Sequence, residues 1–226
     1  MIGSNSPLEF GAHPFVDRLS ASSKALANSV EVDYEPGQVI YQPGDPDLIE
    51  ILASGFARTF LSSPDGRQTT VRYVHRGELM GGLLATGAIF EGSTQITVSS
   101  KALRLDARTV RKQVEIDGEL AKAMTAELAI RYAHIIRTLS VHLFGTMLQR
   151  IAFDLLERAC REQLAHGTLE VRASHDEIAN GIGSVRQVVS RGLSDLREMG
   201  LVATGQRRIQ ILEPARLEEL AVAAVQ

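Results

Sequence analysis

The sequence predicts an α+β fold in which an N-terminal antiparallel β-roll is followed by a long helix and by a C-terminal winged helix-turn-helix. Three observations support this prediction: regularly spaced glycines between short β-type segments, a stretch at 119–143 without Gly or Pro, and an ordered helix-turn-helix pattern at 174–212. They divide the 226 residues into a β domain at 1–116, a helix at 117–145 and a C-terminal domain at 146–226.

In the first part, short β-type segments alternate with glycines. Gly44, Gly55, Gly66 and Gly77 recur every 11 residues, and glycine supplies the positive-φ corners of tight turns. In the segment just before Gly77, hydrophobicity alternates with a period of two, as in a half-buried strand. The predicted strands are 38–41, 48–53, 56–61, 68–75, 95–99 and 102–106. This spacing favours a sandwich or barrel, although any antiparallel β domain would fit it equally well.

The second part predicts one continuous helix. At 1.5 Å per residue, about 25 residues span nearly 40 Å, which is more than a small β domain would cover. Reading every 3.5 residues picks out a narrow apolar seam, which includes Leu128, Tyr132, Ile135, Leu139 and His142. A seam of this kind favours a coiled-coil partner, so we expect a parallel homodimer. The alternative is a helix that packs only against its own β domain.

The third part has the most specific pattern. Ser174 and Glu177 have the spacing of a capping box, and Gly200 is suited to end a helix. The predicted helices are 147–162, 175–180 and a second motif helix from 184 to 197 or 199, and the predicted hairpin strands are 201–204 and 208–212. This order of elements is that of a winged helix-turn-helix.

The second helix of this motif has one apolar and one polar side. We expect its apolar side to be buried: Val185, Val188, Val189, Leu193 and Leu196. Its first turns, which a recognition helix offers to base edges, carry Arg186, Gln187, Ser190 and Arg191. Arginine can bind guanine through two parallel hydrogen bonds, and glutamine can bind adenine in the same way. Arg207 and Arg208, at the tip of the hairpin, are placed for phosphates. A purely structural three-helix unit is the alternative.

These motifs resemble those of the cyclic-AMP receptor protein/FNR (Crp/Fnr) family of bacterial transcription regulators. EIANGIGSVRQVVSRGLSDLREMGLV resembles the family's helix-turn-helix, PGQVIYQPGD its β-roll entrance and GELMG at 77–81 the start of its effector cassette. The resemblance covers nearly the whole chain. It implies a β-roll of the cyclic-nucleotide-binding jelly-roll type that senses an effector, and a homodimer on two-fold symmetric double-stranded DNA. RNA polymerase is a further candidate partner. The resemblance also places Ser174 and His175 at phosphate-contacting positions.

The sequence departs from the family at one base-reading position. Gln187 stands where the family usually has glutamate. Glutamate accepts a hydrogen bond from the cytosine amino group, whereas glutamine both donates and accepts. We therefore expect a half-site that differs from the common one.

A second departure concerns the effector pocket. By resemblance, Glu78 and Leu79 stand in the cassette, but Ser93 and Thr94 lie where relatives that bind cAMP have an Arg-Ser pair for the cyclic phosphate. Without that arginine the phosphate loses a charge-assisted bidentate contact. By the same resemblance, the positions that would face the base are Ile135 and Ile136 instead of hydroxyl residues. We therefore expect an unidentified small-molecule effector other than cAMP, or none, while Glu78 could equally be a structural turn residue.

Composition excludes several cofactors and activities. A single cysteine, Cys160, excludes an intrachain disulfide and an FNR-type iron–sulfur cluster within one chain. We predict no metal site and no cofactor. Haem is the alternative, since His75 lies near the cassette and His134 on the long helix. We do not expect an enzyme, because no His-x-His metal motif of the cupin type, catalytic triad or phosphate loop is present. A ligand-binding or signalling module without specific DNA binding is the alternative of another class.

Charge and hydropathy complete the prediction. No apolar run of about 18 residues marks a membrane span, and the N-terminus lacks the pattern of a secretory signal, so we expect a cytoplasmic protein without membrane contact. The net charge of −3 is unusual for a nucleic-acid binder, but five arginines against two acidic residues at 186–208 give a local charge of +3. DNA binding would thus depend on a small arginine cluster and on dimerisation.

Overall fold

The computed structural model of the chain describes residues 15–18, 29–42, 48–81, 91–166 and 169–223, with the backbone alone at 160–166. These residues form two compact units. One comprises the described parts of 12–61 and 72–135, and the other those of 62–71 and 136–226. No helix in the described ranges is both long enough and apolar enough to span a membrane.

Within the described ranges six strands form one sheet, which confirms the predicted antiparallel β domain. They are β1 Val30–Tyr34, β2 Val39–Tyr41, β3 Ile49–Ser62, β4 Gln68–Val74, β5 Leu79–Met80 and β6 Ser93–Leu105. The order in the sheet is β1-β6-β3-β4, with β2 paired to β6 and β5 paired to β3. The strands β1 and β5 were not predicted, and each of the long strands β3 and β6 replaces two predicted ones.

Gly55 explains why the two segments predicted at 48–53 and 56–61 form one strand. Its φ is +95°, yet it lies inside β3, where the register with β6 slips on both sides of Ser54. A Cβ at Gly55 would overlap Ser100 of β6, whose hydroxyl accepts a hydrogen bond from the amide of Phe56 at 3.2 Å. Glycine is therefore needed for a bulge and a close approach. The expected tight turn occurs at Gly66, where φ is +84°.

The two faces of the sheet contribute to separate apolar clusters. Ile49 and Ile51 lie on one side of β3 and Leu52 on the other, as the period of a strand requires. The first cluster contains Phe15, Ile49, Ile51, Leu79, Leu105, Val110, Leu120 and Met124. The second contains Tyr34, Leu52, Ala57, Val74, Met80, Ile96 and Ala102.

Two helices follow the sheet: α1 Ala107–Ile116 and α2 Gly118–Phe144. An aspartate precedes each helix and accepts hydrogen bonds from its first amides. Asp106 accepts from the amide of Thr109 at 2.9 Å, and Asp117 accepts from the amide of Leu120 at 3.1 Å. The sequence predicted no helix before 117, so α1 was missed, whereas α2 agrees with the predicted helix at 119–143.

The C-terminal part contains the predicted winged helix-turn-helix, and the fold class is confirmed. Its elements are α3 Met147–His166, β7 Glu170–Val171, α4 His175–Ile182, α5 Arg186–Glu198, β8 Val202–Gly205, β9 Arg208–Ile211 and α6 Pro214–Val222. The wing is a three-stranded sheet of order β7-β9-β8; β7 and α6 were not predicted. One core joins these elements, including Ile151, Leu155, Ile178, Val189, Leu193, Leu196, Leu201, Ile209 and Leu217.

Candidate DNA-binding site

The first helix of the motif begins with the predicted capping box. The hydroxyl of Ser174 accepts a hydrogen bond from the amide of Glu177 at 3.2 Å. In return, the carboxylate of Glu177 accepts from the Ser174 amide at 2.7 Å. The helix ends at Gly183, whose φ of 65° is left-handed. This residue turns the chain into the second helix of the motif.

The predicted recognition helix, α5, begins two residues later than expected. Val185 is its N-cap, with an extended backbone (φ −119°, ψ 152°) and no side-chain cap. The prediction that Val185 is buried was wrong, since it is 57% exposed. An N-cap residue lies outside the helical period, so its side chain does not join the apolar stripe of the helix. Val188 is half-buried, and Val189, Leu193 and Leu196 are buried as expected.

Two glycines allow the helices of the motif to approach α3 closely. A Cβ at Gly192 of α5 would overlap the side chain of Ile151. A Cβ at Gly181 of α4 would overlap the carboxylate of Asp154, which is buried and accepts from Arg158 Nε at 2.6 Å. These contacts fix α5 against the core and leave its other side at the surface.

The predicted base-reading residues lie together on that exposed side of α5. Arg186, Gln187, Ser190 and Arg191 are all exposed. They form two pairs four residues apart, so they share one surface stripe over the first two turns. Such a stripe on a packed helix has the form that a recognition helix presents to the major groove.

Three of the predicted DNA-contacting arginines are hydrogen-bonded to carboxylates of their own domain. Arg186 Nη1 donates to Asp176 Oδ2 at 3.0 Å, and Arg207 Nη2 donates to Glu177 Oε2 at 3.3 Å. Arg208 binds Glu170 through two hydrogen bonds, of 3.0 and 2.7 Å. These partners could not be predicted from local sequence patterns, because the paired residues are 10 to 38 positions apart.

The pKa values of both glutamates are lowered. Hydrogen bonds from Arg208 and then Arg172 lower the pKa of Glu170. Burial alone would raise the pKa of Glu177, but the hydrogen bonds from Ser174 and the charges of Arg158 and Arg207 outweigh it, and the pKa is lowered. Both glutamates are therefore ionised partners of the cationic side chains.

The wing places its arginines at the hairpin tip, as predicted. Gly205 of β8 pairs with Arg208 of β9, and Arg207 lies in the turn between the strands with a φ of 54°. Non-glycine residues rarely adopt this conformation. Ser174 and His175, the remaining predicted phosphate contacts, are half-buried at the start of α4, and the Ser174 hydroxyl donates to Glu177 at 2.6 Å.

The predicted effector residues Glu78 and Leu79 lie in a buried cluster of charges in the β domain. Arg72 Nη2 donates to Glu78 Oε2 at 2.8 Å. On α2, Arg131 Nε donates to Glu127 Oε1 at 2.7 Å, and Arg131 also donates to the carbonyl oxygen of Leu79. We call Arg18, Arg72, Glu78, Glu127 and Arg131 the β-domain charge cluster. Sequence reasoning missed it, apart from Glu78; the i, i+4 spacing of Glu127 and Arg131 was the available signal.

Burial shifts two pKa values in this cluster. Burial raises the pKa of Glu78, although the charge of Arg72 partly opposes it. Burial and then the positive charge of Arg72 lower the pKa of Arg131 to about 10. The members of the cluster therefore depend on one another for compensation of their charges.

The other predicted effector residues do not lie in this cluster. Ser93 and Thr94, on β6, pair with Phe60 and Thr59 of β3, and the hydroxyls of Thr94 and Thr59 are 3.3 Å apart. Both Ile135 and Ile136 are exposed on α2. The structure therefore joins Glu78 to charged partners from its own domain.

The predicted seam on α2 is largely exposed. Tyr132, Ile135 and Leu139 are exposed, and Leu128 is half-buried. His142 differs from the others, since its Nδ1 lies 3.0 Å from the hydroxyl of Thr69. The neighbouring Leu143 is 62% exposed instead. The apolar face of the helix, which we call the α2 seam, thus consists of Tyr132, Ile135, Ile136, Leu139 and Leu143.

The histidines considered as haem ligands lie in different parts of the chain, His75 just after β4 and His134 within α2. His75 is buried and its ring centre is 5.2 Å from that of Phe56, whereas His134 lies on α2. Within the part of the chain that the structure describes, no group of three or more His, Cys, Asp and Glu residues is arranged to hold a metal ion.

An antiparallel β domain, a long helix and a winged helix-turn-helix with a polar recognition face define a class of protein, the DNA-binding transcription regulators with a separate β domain. Comparison with known families agrees. The model of the Crp-like helix-turn-helix domain matches residues 149–220, and that of the cyclic nucleotide-binding domain matches residues 31–117. The chain belongs to the Crp/Fnr family, and it is a DNA-binding transcription regulator of that type.

Individual relatives span most of the chain and are also regulators. The transcriptional regulator LdrP of Thermus thermophilus is 32% identical over 178 residues, 77% of this chain and 88% of LdrP. The transcriptional regulator SdrP, from another strain of the same species, is 31% identical over 198 residues, 84% of this chain and 93% of SdrP. A solved CRP/FNR-family regulator from T. thermophilus has a TM-score of 0.73 at 26% identity, covering 86% of this chain and all of that one (100%).

Proposed function

We propose that this regulator binds a palindromic operator as a homodimer and that cAMP is not its effector. The observation that carries the first part is the exposed stripe of Arg186, Gln187, Ser190 and Arg191 on a helix packed by its other side. Arginine suits guanine, because two of its N–H groups can donate to O6 and N7 of the base. Glutamine suits adenine, because its amide can bind N6 and N7 at the same time. We expect phosphate contacts from Arg207, Arg208 and the start of α4.

Selection from a random DNA pool tests this part of the proposal. We expect a palindrome whose half-sites lie about 34 Å apart, one turn of the duplex. Arg186→Ala should lower the preference at one base position by about 1–3 kcal/mol. Arg216→Ala, which removes an exposed arginine of α6, is the control and should leave that preference unchanged. Unaltered specific binding by Arg186→Ala would show that α5 does not read the bases.

The homodimer is proposed because of the α2 seam. Five large apolar side chains are exposed along one face of a 27-residue helix, and a second copy of the helix would bury them in coiled-coil fashion. Leu139→Glu would place a charge in this face and should yield monomers in light-scattering chromatography. Ala133→Glu, at an exposed position beside the seam, should stay dimeric. A dimeric Leu139→Glu protein would contradict the proposal.

The second part of the proposal is supported by the β-domain charge cluster. The Glu78 carboxylate, which would suit a ribose hydroxyl, is buried and paired with Arg72. By resemblance, the stretch that corresponds to the phosphate-binding pair is 91–95, which includes the uncharged Ser93 and Thr94 and has no arginine. We expect no heat of binding when cAMP is titrated into the protein in a calorimeter, and tight binding would overturn this part.

A different effector would act through a shift between two arrangements of the dimer. It would favour the arrangement competent for DNA only by its differential affinity for it. Repeating the DNA selection with a cell metabolite extract shows whether binding to the operator requires an effector. A palindrome enriched only with extract indicates an effector, and equal enrichment indicates a ligand-independent regulator. A Soret band in the purified protein would favour the haem alternative.

A further inference from the structure

Asp176 holds Arg186 across the helix-turn-helix. Arg186 Nη1 donates to Asp176 Oδ2 at 3.0 Å. The aspartate is the second residue of α4 and the arginine is the first residue of α5. The left-handed backbone of Gly183, with a φ of 65°, reverses the chain between them. The turn of the motif therefore places a carboxylate beside the guanidinium that is proposed to read a base.

The geometry of this pair leaves one edge of the guanidinium available. Within the described part of the chain, the Arg186 side chain is hydrogen-bonded through Nη1 alone. Nε and Nη2 lie on the other edge of the planar group, and their two parallel N–H bonds match O6 and N7 of guanine. The side chain is 68% exposed and has many rotamers, so an anchor at Nη1 reduces the freedom lost when DNA binds.

The negative charge of Asp176 also favours specific over non-specific binding to DNA. It lies next to the predicted phosphate contact His175 at the start of α4. A carboxylate in this position repels the phosphate backbone, which supplies most of the affinity for DNA of any sequence. At a site with guanine, the anchored arginine compensates for that repulsion. At other sequences the repulsion is not compensated, so non-specific binding is weakened more than specific binding.

We propose that Asp176 is a positioning residue that determines base specificity: it anchors Arg186 at Nη1 and presents the Nε–Nη2 edge to a guanine. This inference rests on the proposed base-reading role of Arg186. Because exposed ion pairs are weak, the anchor restricts the guanidinium without holding it away from DNA.

The test starts from the operator selected with the wild-type protein, so a failure to select one would reject the proposed function before Asp176 is examined. Binding of Asp176→Ala and Asp176→Asn is then measured on the operator and on three variants that differ at the Arg186-dependent base pair. We expect the preference for the selected base to fall about threefold to fivefold, with the preferences at other positions unchanged. Glu198→Gln removes one negative charge from the exposed end of α5 and is the charge-matched control.

A double substitution separates positioning from charge alone. If Asp176 acts through Arg186, adding Asp176→Ala to Arg186→Ala should leave the preference at that base pair unchanged. The proposal is overturned if Asp176→Ala strengthens binding to all sequences equally, as Glu198→Gln would by its charge. It is also overturned if the preference changes to the same extent without Arg186. Unfolding curves of the variants establish that the domain is intact.

Discussion

Arg72 Nη2 on β4 lies 2.8 Å from Glu78 Oε2, and both side chains are largely buried. The same Nη2 atom lies 3.4 Å from Glu127 Oε1 on α2. One guanidinium therefore serves two buried carboxylates. Burial raises the pKa of Glu78, and the charge of Arg72 is the main influence that opposes this. Glu78 thus depends on Arg72 as its ion-pair partner, whereas Glu127 is also paired with Arg18 and Arg131.

The first prediction follows from this asymmetry. Arg72→Met should destabilise the protein by about 3–5 kcal/mol, because it leaves the buried carboxylate of Glu78 without its ion-pair partner. Glu78→Gln should cost much less, since Arg72 keeps Glu127 as a partner. Urea unfolding of both variants at pH 7 measures the difference. Equal losses would show that the two members of the pair contribute alike.

The pH dependence of Arg72→Met gives a second readout. Without the arginine, the pKa of Glu78 should rise further, because the influence that lowers it is lost. A carboxyl whose folded pKa is raised favours the folded state at low pH and penalises it as pH rises through that pKa. The deficit of the variant relative to the wild type should therefore shrink on acidification from pH 7. A stability deficit that does not change with pH would show that Arg72 does not lower the pKa of Glu78.

Sequence reasoning predicted the elements whose pattern is local and missed those that depend on distant partners. The capping box at Ser174 and the long helix α2 were predicted, since both follow from spacing along the chain. The carboxylate partners of the arginines predicted to contact DNA were not, because Glu170 and Arg208 are 38 residues apart and meet only through the pairing of β7 with β9. Gly55 was predicted to lie in a turn, because a bulge of this kind and a tight turn both require a positive φ.

Gly55→Ala should be strongly destabilising. The residue has a φ of +95° and a Cβ would overlap backbone and side-chain atoms of Ser100. Strain of this kind costs about 1–3 kcal/mol, and the overlap adds about 1–3 kcal/mol. Gly118→Ala is the control, since a Cβ there meets nothing within 4 Å and Gly118 begins α2. It should be neutral or slightly stabilising. A tolerated Gly55→Ala would mean that β3 has no tight bulge at this position.

Ser174→Ala should remove about 1 kcal/mol of stability through loss of the capping box. The loss should depend on pH, because hydrogen bonds from Ser174 help to lower the pKa of Glu177 below its ordinary value of 4.5. A carboxylate with a lowered folded pKa contributes stability above pH 4.5 that is lost as pH falls through the lowered pKa. Thermal unfolding from pH 7 to pH 3 should show the curves of variant and wild type converging. Ser184→Ala, outside both helices, should show no such convergence.

Arg207→Gly should separate stability from DNA binding at the wing. Arg207 has a φ of 54°, a conformation that costs a non-glycine residue about 1–2 kcal/mol relative to glycine. The variant should therefore be as stable as the wild type or more so, although glycine adds entropy to the unfolded chain. If Arg207 contacts phosphate, affinity should fall by a similar factor for all sequences and the salt dependence of binding should decrease by about one counterion. A loss of affinity confined to the operator would instead indicate that Arg207 reads a base. An increase in stability with unchanged affinity would show that the strained arginine is not retained for DNA contact.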